Sequence, residues 1–325
     1  LALWHVSPHE SRLEPMALEA QAGHVLVHGL YSLVSTGTER LVARGEVPEA
    51  MAARMRVPFM QGHFSFPLTY GYSWVGRVAM PGHPLDGQLV QLMHPHQDVI
   101  AVPADALRPI PEGIPPLRAT LASNVETALN AVWDGRVWPG ARVLVAGHGL
   151  IGALLTHLLL RIPAVEVHVL EPDPQRAARA RRSGAAVAPA LPPEWKGTMD
   201  VAFHTSAAPS GMQSALDSLT DEGTLVELSW YGRQRVTLRL GDQFHVGRLR
   251  IRSSQVSRLP AFLPPAWDSA RRMQVVWRLL QDPSWDTLLP QTWPFHRAPE
   301  FFDRLRKNRL EGWAWALAYP TKPTS

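Results

Sequence analysis

The sequence predicts an α/β protein in which a doubly wound parallel sheet is inserted into a mostly β domain, and three observations predict it. From Ala141 onward, short apolar runs of strand length alternate with helical runs as far as about residue 255. Before that region the apolar runs are short and are punctuated by Gly and Pro, as in a barrel-like β domain. A chain of 325 residues also exceeds the usual size of one hydrophobic core, so two domains are expected. The expected division is 1–124 with 256–325 for the outer domain and 125–255 for the inserted one.

In the outer domain, "HVLVHGLYSLVS" (24–35), "YSWVGRVA" (72–79), "QLVQLM" (88–93) and "DVIAVP" (98–103) read as strands because β-branched and aromatic residues recur between turn residues. In the inserted domain, Val143–Ala146 and Val165–Leu170 read as buried strands flanking an apolar helix. The alternation continues through "MDVAFHTSA", a helix from about Gly211, "GTLVELSWYG" and "RLRIRSSQ". Two helical runs follow, "SARRMQVVWRLL" and "PEFFDRLRKNRL". That tail is too short for a domain of its own and is expected to return to the first one.

The turn between the first inserted strand and its helix carries Gly147, Gly149 and Gly152, spaced G-x-G-x-x-G. The first glycine permits a tight turn, the second lets the backbone approach a pyrophosphate, and the third lets helix and strand pack closely. Leu150 and Ile151 open the helix whose positive end would face the phosphates. Glu171 ends the second strand 24 residues beyond Gly147, where an acid accepts hydrogen bonds from an adenosine ribose. Strand, glycines, helix, second strand and acid together specify a Rossmann-type dinucleotide site. Glu171 favours NAD, because a carboxylate repels a 2′-phosphate; Arg176 and Arg179 keep NADP open.

Composition narrows the remaining classes. Cysteine is absent, so disulfides, thiolate nucleophiles and cysteine-held metals are excluded. The formal charge is +4, but the arginine clusters at 176–184 and 304–309 have helical spacing and no interleaved aromatics, which reads as solvated helix faces and not as a nucleic-acid surface. No run of eighteen apolar residues and no secretory pattern is present, so the reading is a cytoplasmic protein without a membrane partner.

"YSLVSTGTERLVARG" (31–45), "FPLTYGYSWVGRV" (66–78), "LASNVETALNAV" (121–132) and the glycine segment together resemble the medium-chain dehydrogenase/reductase superfamily, the alcohol dehydrogenase-like proteins. The pattern is similar to zinc-type alcohol dehydrogenase branches that include bacteriochlorophyllide dehydrogenase-like members. The resemblance implies a GroES-like catalytic domain around the Rossmann domain, a small-molecule substrate, hydride chemistry and a homodimer paired through cofactor-domain sheet edges. It also implies that Ser206, Leu228, Ser229 and Trp230 contribute to the cofactor site, Leu228–Trp230 as the strand end that contacts the nicotinamide carboxamide, with Tyr231 beside them.

Where zinc-dependent members carry metal ligands, this chain has Thr36, Tyr72 and Ser123 or Asn124. None is a good zinc ligand. A zinc-independent enzyme is therefore expected, with a degenerate nucleotide-binding protein as the alternative. Hydride transfer without zinc needs another hydrogen-bond donor where charge develops on oxygen, and Thr38, Tyr72 and His94 are the candidates.

His94 belongs to "LMHPHQDVIAV", where His94, His96 and Asp98 alternate as strand ligands would. Pro95 interrupts that alternation. A metal site, a pocket histidine and a structural turn stay open for His94, and a site relocated to His63, His94 and His96 is the metal alternative. His96 and Asp98 read as loop and strand start. His148, between the glycines, is expected to face phosphates or solvent; Glu126 reads as an orienting acid or as part of a helix start capped by Asn124.

Overall fold

The computed structural model describes residues 1–18 and 21–320. The chain divides into two compact units, Leu1–Ser123 with Trp277–Ser325, and Asn124–Val276.

The first unit is built around the strand His24–Val34, which pairs antiparallel with Trp74–Val78, Val99–Pro103 and Trp315–Ala318. Leu89–Leu92 and Arg108–Pro109 extend this sheet on one side and Gln291–Pro294 on the other. A separate antiparallel sheet joins Glu10–Glu14, Ala2–Ser7 and Leu68–Thr69. Val25 and Val27 are buried on one face of the hub strand and meet Trp74, Ile100, Phe301 and Phe302 in one core. Full burial of each such large side chain stabilises the unit by about 2–3 kcal/mol. Phe301 and Phe302 lie on the helix Ala298–Arg306, so the C-terminal tail completes this core.

The helix Thr36–Ala43 leaves the end of the hub strand after Ser35. Glu39 turns back so that its Oε1 accepts the Ser35 backbone N–H at 2.8 Å. This is the acid half of a capping box, one residue later than usual, and it fixes where the helix begins.

Among the described residues the second unit holds a six-stranded parallel sheet. Its spatial order is Ala186–Ala188, Glu166–Leu170, Arg142–Ala146, Met199–His204, Leu219–Glu227 and Arg250–Ser253. In chain order that is 3-2-1-4-5-6, the doubly wound arrangement, with its switch point between Arg142–Ala146 and Met199–His204. The central strand Arg142–Ala146 is apolar because both faces are covered; Val143 to Ala146 are all buried. The helix Pro174–Ser183 is started by Asp173, whose side chain accepts from the backbones of Gln175 and Arg176.

The chain returns to the first unit at Trp277, later than the 256 expected from sequence. Arg272 accounts for the difference: buried on the helix Ser269–Leu280, it donates to Glu126 Oε1 (3.0 Å), Asn130 Oδ1 (2.6 Å) and the Val256 carbonyl (2.7 Å), all within the second unit. Glu126 is thus an ion-pair partner. The helix around it starts at Ala122, so Asn124 lies inside its first turn and is not the cap.

Candidate active site

The glycine turn lies at the C-terminal end of the strand Arg142–Ala146. Gly147 has φ +100°, and a Cβ there would stand 2.8 Å from Ser206 Cβ. A Cβ on Gly152 would stand 2.0 Å from the Gly147 carbonyl oxygen, so that oxygen leaves room only for hydrogen. Gly149 directly precedes the helix Leu150–Leu159, which Leu150 and Ile151 open. Thr205 Oγ1 donates to the Gly147 carbonyl at 2.8 Å and ties the turn to the next strand of the sheet.

Glu171 is buried, and its two oxygens accept the backbone N–H groups of His148 (2.8 Å) and Asp173 (2.9 Å). It therefore pins the glycine turn, and each oxygen keeps a further lone pair. His148 does not face solvent: it is 1% exposed. Burial, and then the charges of Arg179 and Arg176, lower its pKa to about 4. Burial and the neighbouring Arg182 and Arg176 lower Arg179 to about 10.

Across the switch point, Ser206 belongs to a cluster that local sequence did not reveal. His204 Nδ1 lies 2.8 Å from Glu227 Oε2, and its Nε2 lies 2.7 Å from Ser206 Oγ. Glu227 also accepts from Ser229 N–H (2.6 Å) and the Tyr231 hydroxyl (3.1 Å). Leu228 N–H donates to the His204 carbonyl at 3.1 Å, and Trp230 is half-buried beyond it. His204 and Glu227 end adjacent parallel strands and are paired in register, which no window of sequence shows.

In the first unit, Thr38 and Tyr72 are brought together. The Tyr72 hydroxyl is hydrogen-bonded to the hydroxyls of Ser35 and Thr38; burial first, and then the Glu39 charge, push it up to about 12. Ser123 Oγ donates to the Tyr72 carbonyl at 3.2 Å, and Thr36 opens the helix that carries Thr38. Behind these half-buried hydroxyls, Glu39 Oε2 meets His96 Nε2 at 2.8 Å with both side chains fully buried. His96 Nδ1 lies 2.7 Å from Ser32 Oγ, which lies 2.7 Å from the Tyr319 hydroxyl. His96 is thus a buried partner of a carboxylate and not a plain loop residue. Asp98 instead accepts the Gly29 N–H on its backbone carbonyl at 2.7 Å.

His94 is stacked on Phe59 at 5.2 Å, and its Nδ1–H donates to the Pro95 carbonyl at 2.8 Å. Burial lowers its pKa to about 4, so it is a neutral imidazole at pH 7. His63 sits in a turn, its N–H bonded to the Pro67 carbonyl at 3.2 Å. Among the described residues no three His, Asp or Glu side chains converge as a metal-binding group, so His63, His94 and His96 do not form the relocated site. Thr36, Tyr72 and Ser123 offer only neutral hydroxyls and Asn124 only an amide, and such a donor set does not fit zinc. Nor is any helix among these residues long and apolar enough to cross a membrane.

No protein-family model matches the chain. Solved structures do match over nearly its whole length. L-idonate 5-dehydrogenase from Escherichia coli superposes with TM-score 0.76 at 15% identity, covering 98% of this chain and 97% of that one. A putative zinc-binding dehydrogenase from Sinorhizobium meliloti, bound to NADP, gives TM-score 0.75 at 17% identity, covering 98% of each chain. The quinone oxidoreductase from Thermus thermophilus, also solved as its NADPH complex, gives TM-score 0.70 at 20% identity, covering 98% of this chain and 99% of that one.

Proposed function

We propose, from a chain that has the alcohol dehydrogenase-like medium-chain dehydrogenase/reductase fold, a GroES-like domain around a Rossmann domain, that the protein is a zinc-independent, nicotinamide-dependent oxidoreductase. It acts on an alcohol/carbonyl pair or an activated double bond of a small molecule. The observation that carries this reading is the Gly147–Gly152 turn pinned by Glu171 at the switch point of the sheet. Structural neighbours solved with NADH, NADP or NADPH support it.

The residues fit a dinucleotide. Gly147, Gly149, Leu150, Ile151 and Gly152 would cradle the pyrophosphate, and Glu171 would hold the adenosine ribose; Ser206, Leu228, Ser229 and Trp230 would line the nicotinamide half. NAD is the preferred form, and Arg176 with Arg179 would admit a 2′-phosphate. When bound, the nicotinamide supplies the hydride or its acceptor. Tyr72 supplies the hydrogen bond to the substrate oxygen. With its pKa pushed up to about 12, the phenol keeps its proton through the neutral range and acts as donor, not as base. Thr38 and Ser35 orient that hydroxyl, and the Glu39–His96 pair holds the helix that carries Thr38. His94, wedged between Phe59 and Trp74, is better suited to shaping the wall than to moving a proton. Pairing of two copies would use the strand Arg250–Ser253, an exposed edge of the parallel sheet.

The test is a titration of the protein with NADH and NADPH, followed through tryptophan quenching, then a screen of alcohols, aldehydes and quinones. Saturable binding with turnover supports the reading; no binding of either nucleotide overturns it. The hydroxyls at Thr36, Tyr72 and Ser123 also support a second reading, a nucleotide-binding protein without turnover. Tight binding with no turnover on any substrate in that screen would select it.

A further inference from the structure

We infer that a cavity of about 430 Å³ at the C-terminal ends of the helices Thr36–Ala43 and Ala298–Arg306 is a binding site for a small monocarboxylate, with Arg306 as its anchor. The site lies wholly within the first unit and stands independently of the dinucleotide reading.

Both helices end on basic residues: Arg44 follows the first, and Arg306 and Lys307 close the second. Cations are favoured there because the last carbonyls of a helix have no partner within it. Each arginine serves the other's helix. Arg44 Nε donates to the Arg306 carbonyl at 2.9 Å, with Nη2 beside it, and Arg306 Nε donates to the Ala43 carbonyl at 3.0 Å. This crossed capping sets two guanidinium groups in the wall of one cavity, with His9, Glu46, Asp303 and Lys307 around them.

Capping does not use up Arg306. The residue is 7% exposed, and its Nη2 donates to Ser11 Oγ (2.7 Å), the Glu10 carbonyl (3.2 Å) and His5 Nδ1 (3.3 Å). These acceptors are all neutral, because burial, and then the Arg306 charge, hold the pKa of His5 well below its ordinary value. Nη1 is the one guanidinium nitrogen with no acceptor among the described residues. Its two N–H groups are therefore unused, and a buried donor left unpaired is costly unless a ligand supplies the acceptor.

The charges around the cavity select a single negative charge. Lys307 and Asp303 answer each other at 2.7 Å, and Glu46, 3.9 Å from Arg44, answers that arginine. Arg306 has no ion-pair partner among the described residues; burial outweighs the more distant Asp303 and Glu10, lowering its pKa to about 10 and leaving it a cation at pH 7. The end of the helix Thr36–Ala43 offers it only about half a negative charge. One monoanion fits this balance, whereas Glu46 and Asp303 in the same wall would repel a dianion. A carboxylate also presents two coplanar oxygens to a guanidinium, and the volume lies in the range of small-molecule sites.

The test is calorimetric titration of the full chain, near neutral pH, with benzoate and with benzamide, which has the same shape and no charge. Benzoate should bind saturably, one per chain, and benzamide at least about tenfold more weakly. Glu46→Gln, which removes a neighbouring carboxylate, should tighten benzoate by about two- to fivefold, and Lys307→Gln should weaken it by a similar factor. Arg306→Lys keeps the charge but loses the planar fork, and should weaken benzoate by at least about tenfold. If Arg306→Lys does not fold, the partly exposed Glu46 and Lys307 decide the matter. Saturable binding that neither Glu46→Gln nor Lys307→Gln alters places benzoate elsewhere and overturns the inference. Absence of binding overturns it too, the cavity then holding water alone, as does inorganic phosphate binding more tightly than benzoate.

Discussion

Glu39 and His96, 57 residues apart in sequence, share a 2.8 Å hydrogen bond from which solvent is fully excluded. The carboxylate also holds the Ser35 N–H, and the imidazole holds Ser32, so the pair joins the hub strand, the helix Thr36–Ala43 and the loop at 94–98. Removing His96 leaves Glu39 Oε2 buried without its partner. His96→Ala should therefore lower stability by about 3–5 kcal/mol, measured by urea unfolding. A loss below about 1 kcal/mol would mean that the pair is hydrated and holds nothing in place.

Tyr72 stands in front of that pair, and its hydroxyl is the group assigned to the substrate oxygen. Tyr72→Phe keeps the ring and removes the donor. Turnover should fall by about 10²–10³-fold, as for the loss of one preorganised donor to a developing oxyanion, with NADH affinity unchanged. Thr38→Ala should cost less, about tenfold, because Ser35 still orients the phenol. Full activity in Tyr72→Phe would remove Tyr72 from the mechanism.

The glycine turn was more legible in the sequence than the clusters around Glu39 and His204, for a physical reason. The glycine turn, Leu150, Ile151 and Glu171 fall within one strand–helix–strand unit, so their spacing along the chain maps directly onto their geometry. Nothing in the local sequence singled out Glu39, and His96 read as a loop residue after Pro95. Only the antiparallel pairing of His24–Val34 with Val99–Pro103 brings them together. His204 and Glu227 were hidden similarly, since parallel register sets them side by side across a crossover. The cap assigned to Asn124 failed because the helix starts earlier, and Glu126 is drawn to Arg272, which the sequence places 146 residues away.

Glu171 pins the turn and is the residue proposed for the ribose, and the two tasks would separate by cofactor. Glu171→Ala should weaken NADH binding by about 10–100-fold, the value of hydrogen bonds to a charged acceptor. NADPH should lose less, because repulsion of its 2′-phosphate disappears as well. Arg176→Ala should weaken NADPH and leave NADH nearly unchanged. Equal losses for both nucleotides in Glu171→Ala would show that pinning His148 N–H is its whole role.

Acid should destabilise this protein through its buried histidines. The pKa values of His94 and His148 are lowered from 6.5 to about 4 in the folded state, in each case chiefly by burial, and burial also holds His5 well below its ordinary value. Between pH 6.5 and 4 the unfolded chain binds protons at these sites that the folded chain does not. Stability is therefore full above about pH 6.5 and falls as pH drops towards 4, by about 3 kcal/mol for each of His94 and His148 at about 1.4 kcal/mol per pH unit. Thermal melts from pH 7 to 4 should show this decline, and His148→Asn, which cannot take up the proton, should show a shallower one. Equal slopes for His148→Asn and the wild type would mean that His148 is hydrated and titrates near its ordinary value.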